Sequence, residues 1–114
     1  MTAKSRMTAI WVLSALAGLA FLGAGAAKLA GAEPMVATFE KIGVGQWFRY
    51  VTGLLEVGGA IGLFIPGHGF FAAALLAMVM AGAVISHLTV LGGSPVAPLV
   101  LMVLTSTIAY LRKP

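Results

Sequence analysis

The chain has 114 residues, of which 61% are hydrophobic and only 9% charged, with a mean hydropathy of +1.06. Soluble domains carry about 25% charged residues, so this composition cannot cover a water-facing surface and implies an integral membrane protein. The formal charge of +4 sits in the termini and one loop, which fits an anionic lipid surface and argues against nucleic acid; the lack of cysteine excludes thiol–disulfide exchange and Cys-ligated zinc or iron–sulfur centres from this chain alone.

There is room for about four spans of ~20 residues each. They form a single membrane domain over residues 1–114 and leave no space for a soluble catalytic module. The first apolar run covers residues 7–29, with Lys4 and Arg6 before it. A cleaved signal peptide is the competing reading, since small residues (Gly23, Gly25, Ala26, Ala27) follow the run. At about 20 residues the run exceeds the usual ~7–15 of a signal h-region, so it is read as an uncleaved span.

Next, Pro34 suits a helix start and Gly43 its end, while Met35, Val36, Phe39 and Ile42 recur at helical spacing. This predicts a short amphipathic helix lying in the membrane interface, with Trp47 and Tyr50 as belt aromatics. The second span is expected at 48–65, closed by Pro66-Gly67 and a turn that leaves His68 solvated. The third is expected at 70–91, ending at Gly92-Gly93-Ser94-Pro95, and the fourth at 96–111, with Pro98 tolerable in its first turn. The fold class is thus all-α: a bundle of four transmembrane helices with an interfacial helix between the first two.

Four spans put both termini on one side. The terminal segments carry Lys4, Arg6, Arg112 and Lys113, against Lys28, Lys41 and Arg49 in the first loop region. The positive-inside rule then favours both termini in the cytoplasm of a plasma-membrane protein. Gly58 and Gly62 make a GxxxG, and Ala73, Ala77 and Ala81 recur every four positions. Both patterns are read as helix packing within the bundle, with homo-oligomer formation as the alternative.

Glu56 is the informative residue, because an ionisable group inside a span costs about 2.5–3.5 kcal/mol on insertion scales. At 1.5 Å per residue it lies roughly 10 Å into the second span from Arg49, and His87 lies about 6 Å short of the end of the third. Lys28 lies at the exit of the first span. All three therefore fall in the same half of the membrane, and Arg49, two turns before Glu56, shares its helix face. Gln46 and Ser86 are nearby polar neighbours. Lys28, Glu56 and His87, with Arg49, form a candidate cluster for binding the head of a lipophilic ligand such as a quinone, or for relaying a proton. Each has a plainer role available: Lys28 snorkelling to the interface, His87 satisfied by a backbone carbonyl, Glu56 holding helices together. Two histidines and three scattered acids make no metal site.

Three segments resemble the DoxX and DoxX-like family of small four-helix membrane proteins: Gly18-Leu19-Ala20-Phe21-Leu22-Gly23-Ala24-Gly25-Ala26-Ala27-Lys28-Leu29, Glu56-Val57-Gly58-Gly59-Ala60-Ile61-Gly62-Leu63, and Ala81 through His87. The resemblance implies a plasma-membrane protein in which Lys28, Glu56 and His87 match the family's polar positions. Name-giving members are membrane subunits associated with a thiosulfate:quinone oxidoreductase, and others are tied to oxidative stress or membrane assembly. The expected function is an accessory or ligand-binding subunit of a membrane redox (quinone) system, beside a redox partner protein. No catalytic or cofactor motif occurs in the chain, so it is at most a non-catalytic subunit. The alternatives are a structural or assembly factor and a small proton-coupled transporter. The latter compares poorly with the small multidrug resistance proteins, whose glutamate lies in the first helix, where this chain has no acid.

Overall fold

The structure, a computed structural model, describes residues 2–114. Its five helices are α1 (Ala3–Ala30), α2 (Glu33–Ile42), α3 (Gln46–Gly62), α4 (Gly69–Ser86) and α5 (Val96–Arg112), with a π-helical turn, His87–Leu91, extending α4. The segments α1 and Gly69–Leu91 are long and apolar enough to cross a membrane, and α5 is a shorter apolar helix.

The element order matches the expected one, with shifts at the ends. Helix α1 starts before residue 7 because Thr2 caps it, its hydroxyl accepting from the Ser5 amide at 3.1 Å. Lys4 and Arg6 therefore lie within the helix, not ahead of it. At 1.5 Å per residue, α1 spans roughly 42 Å of a molecule 46 Å long. Helix α3 stops at Gly62, so residues 63–65, expected as the end of the second span, join Pro66-Gly67 in the turn. Helix α2 has Pro34 in its first turn and ends at Gly43, whose φ of 83° only glycine adopts freely. It buries Phe39 and exposes Glu40 and Lys41.

Contacts between helices run in opposite directions along the chain, so neighbours are antiparallel. Trp11 stacks on Phe64, Gly18 faces Phe64, and Gly25 faces Gly53 and Val57. Gly59 and Gly62 of α3 meet Leu76 and Ala72 of α4, while Arg112 of α5 lies over Gly69 at the start of α4. The long helices thus pack in the order α1, α3, α4, α5, and α5 returns to α1. Of the GxxxG pair, Gly62 packs against Ala72, but Gly58 is exposed with open space around it. Gly58 is two residues from buried Glu56 and so on the far side of α3; the glycines that admit neighbouring helices are Gly53, Gly59 and Gly62.

The outward faces are apolar, with Leu19 and Met78 each 73% exposed. Such a surface suits lipid rather than water. With lipid outside, close packing and internal polar contacts hold the bundle together. One half is filled: Ala17, Phe21, Ala60, Leu63, Ala73, Leu76 and Ile108 form a continuous buried core. Cations close the helix ends. Arg49 donates to the carbonyl of Lys28 at the end of α1, and Lys41 to that of Leu91 at 2.9 Å. Arg112 donates to Leu63 just past α3 at 2.5 Å, and Arg6 to Leu111 at the end of α5. Each supplies a donor to a carbonyl at or just past a helix C-terminus, where positive charge is favoured by the helix dipole.

Candidate functional site

The other half of the bundle is hollow. Where the C-terminal parts of α1 and α4 meet the N-terminal parts of α3 and α5, small residues (Ala24, Gly82, Ala83, Ala97) leave a cavity of about 630 Å³, covered by α2. Its walls are mostly apolar, including Met35, Phe39, Phe48, Leu55, Val79 and Leu101. Volumes of ~300–1,000 Å³ with apolar walls and a few convergent polar groups are typical of small-molecule sites.

Those polar groups include three of the four residues singled out from the sequence, since Lys28, Glu56 and His87 all line this cavity. Glu56 belongs to the buried stripe of α3 that runs Arg49, Gly53, Glu56, Ala60, the i, i+4, i+7 spacing of a core-facing seam. Its side chain is 1% exposed, and Lys28 Nζ stands 2.7 Å from its Oε1. At that distance the ammonium and the carboxylate are a close charge pair. The pair is possible because α1 and α3 touch through glycine. A Cβ on Gly25 would stand 2.9 Å from the Gly53 carbonyl oxygen, and one on Gly53 would stand 3.1 Å from Lys28 Cβ. In any helix the Cα–Cβ bonds tilt toward the N-terminus, so in this antiparallel pair Lys28 and Glu56 lean toward each other's level.

His87 opens the π-helical turn, and its backbone carbonyl accepts from the Gly92 amide at 3.0 Å while its Nδ1 lies 3.0 Å from the Gly92 carbonyl. A carbonyl can only accept, so Nδ1 carries the proton and Nε2 is the ring nitrogen left over. Thr89 donates to the Ile85 carbonyl at 2.8 Å. A hydroxyl occupying a carbonyl four residues back competes with the regular helical bond, consistent with the wider turn here; such turns are frequent at functional sites.

Arg49 lies outside the cavity wall. It is 5% exposed, donates through Nε to Gln46 Oε1 at 2.8 Å and through Nη1 to the Lys28 carbonyl, and stacks 4.3 Å from the centre of the Tyr50 ring. Gln46 in turn donates to the Val36 carbonyl at 3.1 Å, so the two residues tie the end of α1 and the first turn of α2 to the start of α3. His68 is exposed in its turn, with Nδ1 3.1 Å from the Pro66 carbonyl.

Several wall residues went unnoticed in the sequence. Besides Ser86, Thr38 and Thr52 line the cavity. Thr52 stands four residues before Glu56, which places it on the same helix face and made it findable. Thr38 depends on how α2 is laid across the bundle, which no local pattern states.

The model of the DoxX-like family matches residues 12–109, nearly the whole chain, and the chain belongs to that family. The DoxX family is a membrane family. No curated protein and no solved structure matches the chain.

Proposed function

We propose that this DoxX-like protein is a four-span plasma-membrane subunit that holds a lipophilic ligand, such as a quinone, in the hollow end of its bundle. The observation that carries the reading is the Lys28–Glu56 pair at 2.7 Å, set in the wall of an otherwise apolar cavity of about 630 Å³ that it shares with His87. A charge pair kept in such surroundings is costly, and both of its residues line the cavity, Lys28 13% exposed and Glu56 1%. Two of the lining residues, Leu55 and Met78, are exposed on the outward apolar face. The cavity is therefore reachable sideways, from the hydrocarbon, between α3 and α4. This is the route a lipid-soluble molecule takes.

In this reading α3 and α5 cross the bilayer beside α1 and α4, α2 lies in the interface as a cover, and both termini are cytoplasmic. The ligand head sits in the half of the membrane away from the cytoplasm. The chain supplies binding and orientation, and any redox chemistry belongs to a partner protein. Equilibrium binding of a short-chain benzoquinone, in either redox form, to the purified protein tests the proposal. Binding that weakens at least tenfold in Glu56→Gln or His87→Ala supports it; binding unchanged in both variants rejects the site.

One observation favours a second reading, in which the pair is only a fastener. It bridges α1 and α3 where their backbones touch at Gly25 and Gly53. Then Glu56→Gln lowers stability or partner co-purification, and no ligand affinity depends on it.

A further inference from the structure

The polar atoms around the cavity are not a balanced set. Three hydroxyls line it, and each has its proton committed to a carbonyl of its own helix: Thr38 to Pro34 at 2.8 Å, Thr52 to Phe48 at 2.8 Å and Ser86 to Gly82 at 2.9 Å. What these hydroxyls have left is lone pairs. His87 is in the same condition, because Nδ1–H is held by the Gly92 carbonyl and Nε2 keeps its lone pair. Glu56 adds a carboxylate, which can only accept. Against these acceptors stands one donor group, the Lys28 ammonium, one of whose three N–H bonds is drawn to Glu56 at 2.7 Å.

From this imbalance we infer that the cavity selects a ligand whose head donates hydrogen bonds: a hydroquinone-type diphenol in preference to the corresponding quinone. The inference rests on the ligand-binding reading above and adds the chemical form of the ligand. A quinone has two carbonyl oxygens and no donor. Lys28 can serve one of them with an N–H that Glu56 does not hold, and the other is left among lone pairs. A hydroquinone of the same ring and size presents two O–H groups, which Glu56 and His87 Nε2 can accept. A buried polar group left without its partner loses the full desolvation term, whereas a hydrogen bond to a charged group is among the stronger ones.

The test compares three probes of nearly equal shape by anaerobic equilibrium dialysis against the purified protein: a short-chain benzoquinone, its hydroquinone, and the hydroquinone dimethyl ether, which keeps the ring and removes both donors. The expected result is at least tenfold tighter binding of the hydroquinone than of either other probe, falling to within about threefold in His87→Ala. Because the main comparison is made on the unaltered protein, it does not depend on any variant folding. Equal or tighter binding of the quinone overturns the inference while leaving the ligand-binding proposal standing. A dimethyl ether that binds as well as the hydroquinone overturns it too. If none of the three binds, the ligand-binding proposal falls and takes this inference with it.

Discussion

Substituting Gly25 by alanine inserts one methyl group where α1 and α3 touch. The new Cβ would stand 2.9 Å from the Gly53 carbonyl oxygen and 3.0 Å from the Val57 amide nitrogen. Both are backbone atoms of α3 and cannot turn aside as a side chain does. The shortfall is about 0.6 Å against the oxygen, taking ~3.5 Å as ordinary contact, so the helices must part. Overfilling a packed contact of this kind costs about 1–3 kcal/mol. Replacing glycine within a helix also brings a gain of roughly 0.5–1 kcal/mol, which would blur the measurement. Gly23, on the same helix, has nothing within 4 Å of its Cβ position and provides the control. The propensity gain is common to Gly23→Ala and Gly25→Ala, so their difference isolates the contact between helices. Thermal unfolding of both variants in one detergent, followed by tryptophan fluorescence, should place Gly25→Ala below Gly23→Ala by about 1–3 kcal/mol. By the scaling of small domains that is about 5 °C or more. Indistinguishable melting of the two variants would refute the close approach, and with it the geometry that lets Lys28 reach Glu56.

Removing Lys28 alone (Lys28→Met) strands a buried carboxylate and is expected to destabilise by about 3–5 kcal/mol, while Lys28→Met combined with Glu56→Leu recovers most of the loss; a double-mutant melting cycle reads the coupling. Arg49→Lys keeps the charge but loses the fork that serves Gln46 and the Lys28 carbonyl together. It should cost about 1–2 kcal/mol in melting and change ligand affinity less than His87→Ala does, since Arg49 does not line the cavity. Lys41→Met removes the bond to the Leu91 carbonyl, so amide exchange in α2 should speed up while α4 and α5 keep their protection; unchanged exchange would mean that Lys41 does not hold the cover down. The chain has no cysteine, so single cysteines can report sidedness. In intact cells an impermeant maleimide should label Glu40→Cys and Ser94→Cys, and reach His68→Cys only after permeabilisation; the reverse pattern would invert the proposed orientation.

Much of this architecture could be read from the chain in order. Apolar runs of bilayer length, broken at Pro66-Gly67 and Gly92-Gly93, mark the long helices, and the spacing of Met35, Val36, Phe39 and Ile42 marks α2. These signals are local, since a helix forms from neighbours three and four residues apart. Antiparallel order then puts Lys28, Glu56 and His87 at one end of the bundle by counting residues alone. Helix ends were less legible, because the Thr2 cap and the Leu63–Gly67 turn depend on individual backbone contacts rather than on apolar content.

The sequence by itself therefore determined the class of protein, its helices, and the presence of a carboxylate that needs a partner inside an apolar bundle. Tertiary structure decided which partner. Arg49 shares a helix face with Glu56, yet its guanidinium goes to the Lys28 carbonyl, and it is the Lys28 ammonium that meets the carboxylate. Helical periodicity specifies which residues share a face, but which atom on the next helix a long side chain reaches depends on how far apart the helices stand. Here that spacing is set by two glycines, Gly25 and Gly53. The hollow beneath α2 is likewise absent from any local pattern, because empty space is a property of four helices packed together and of none of them alone.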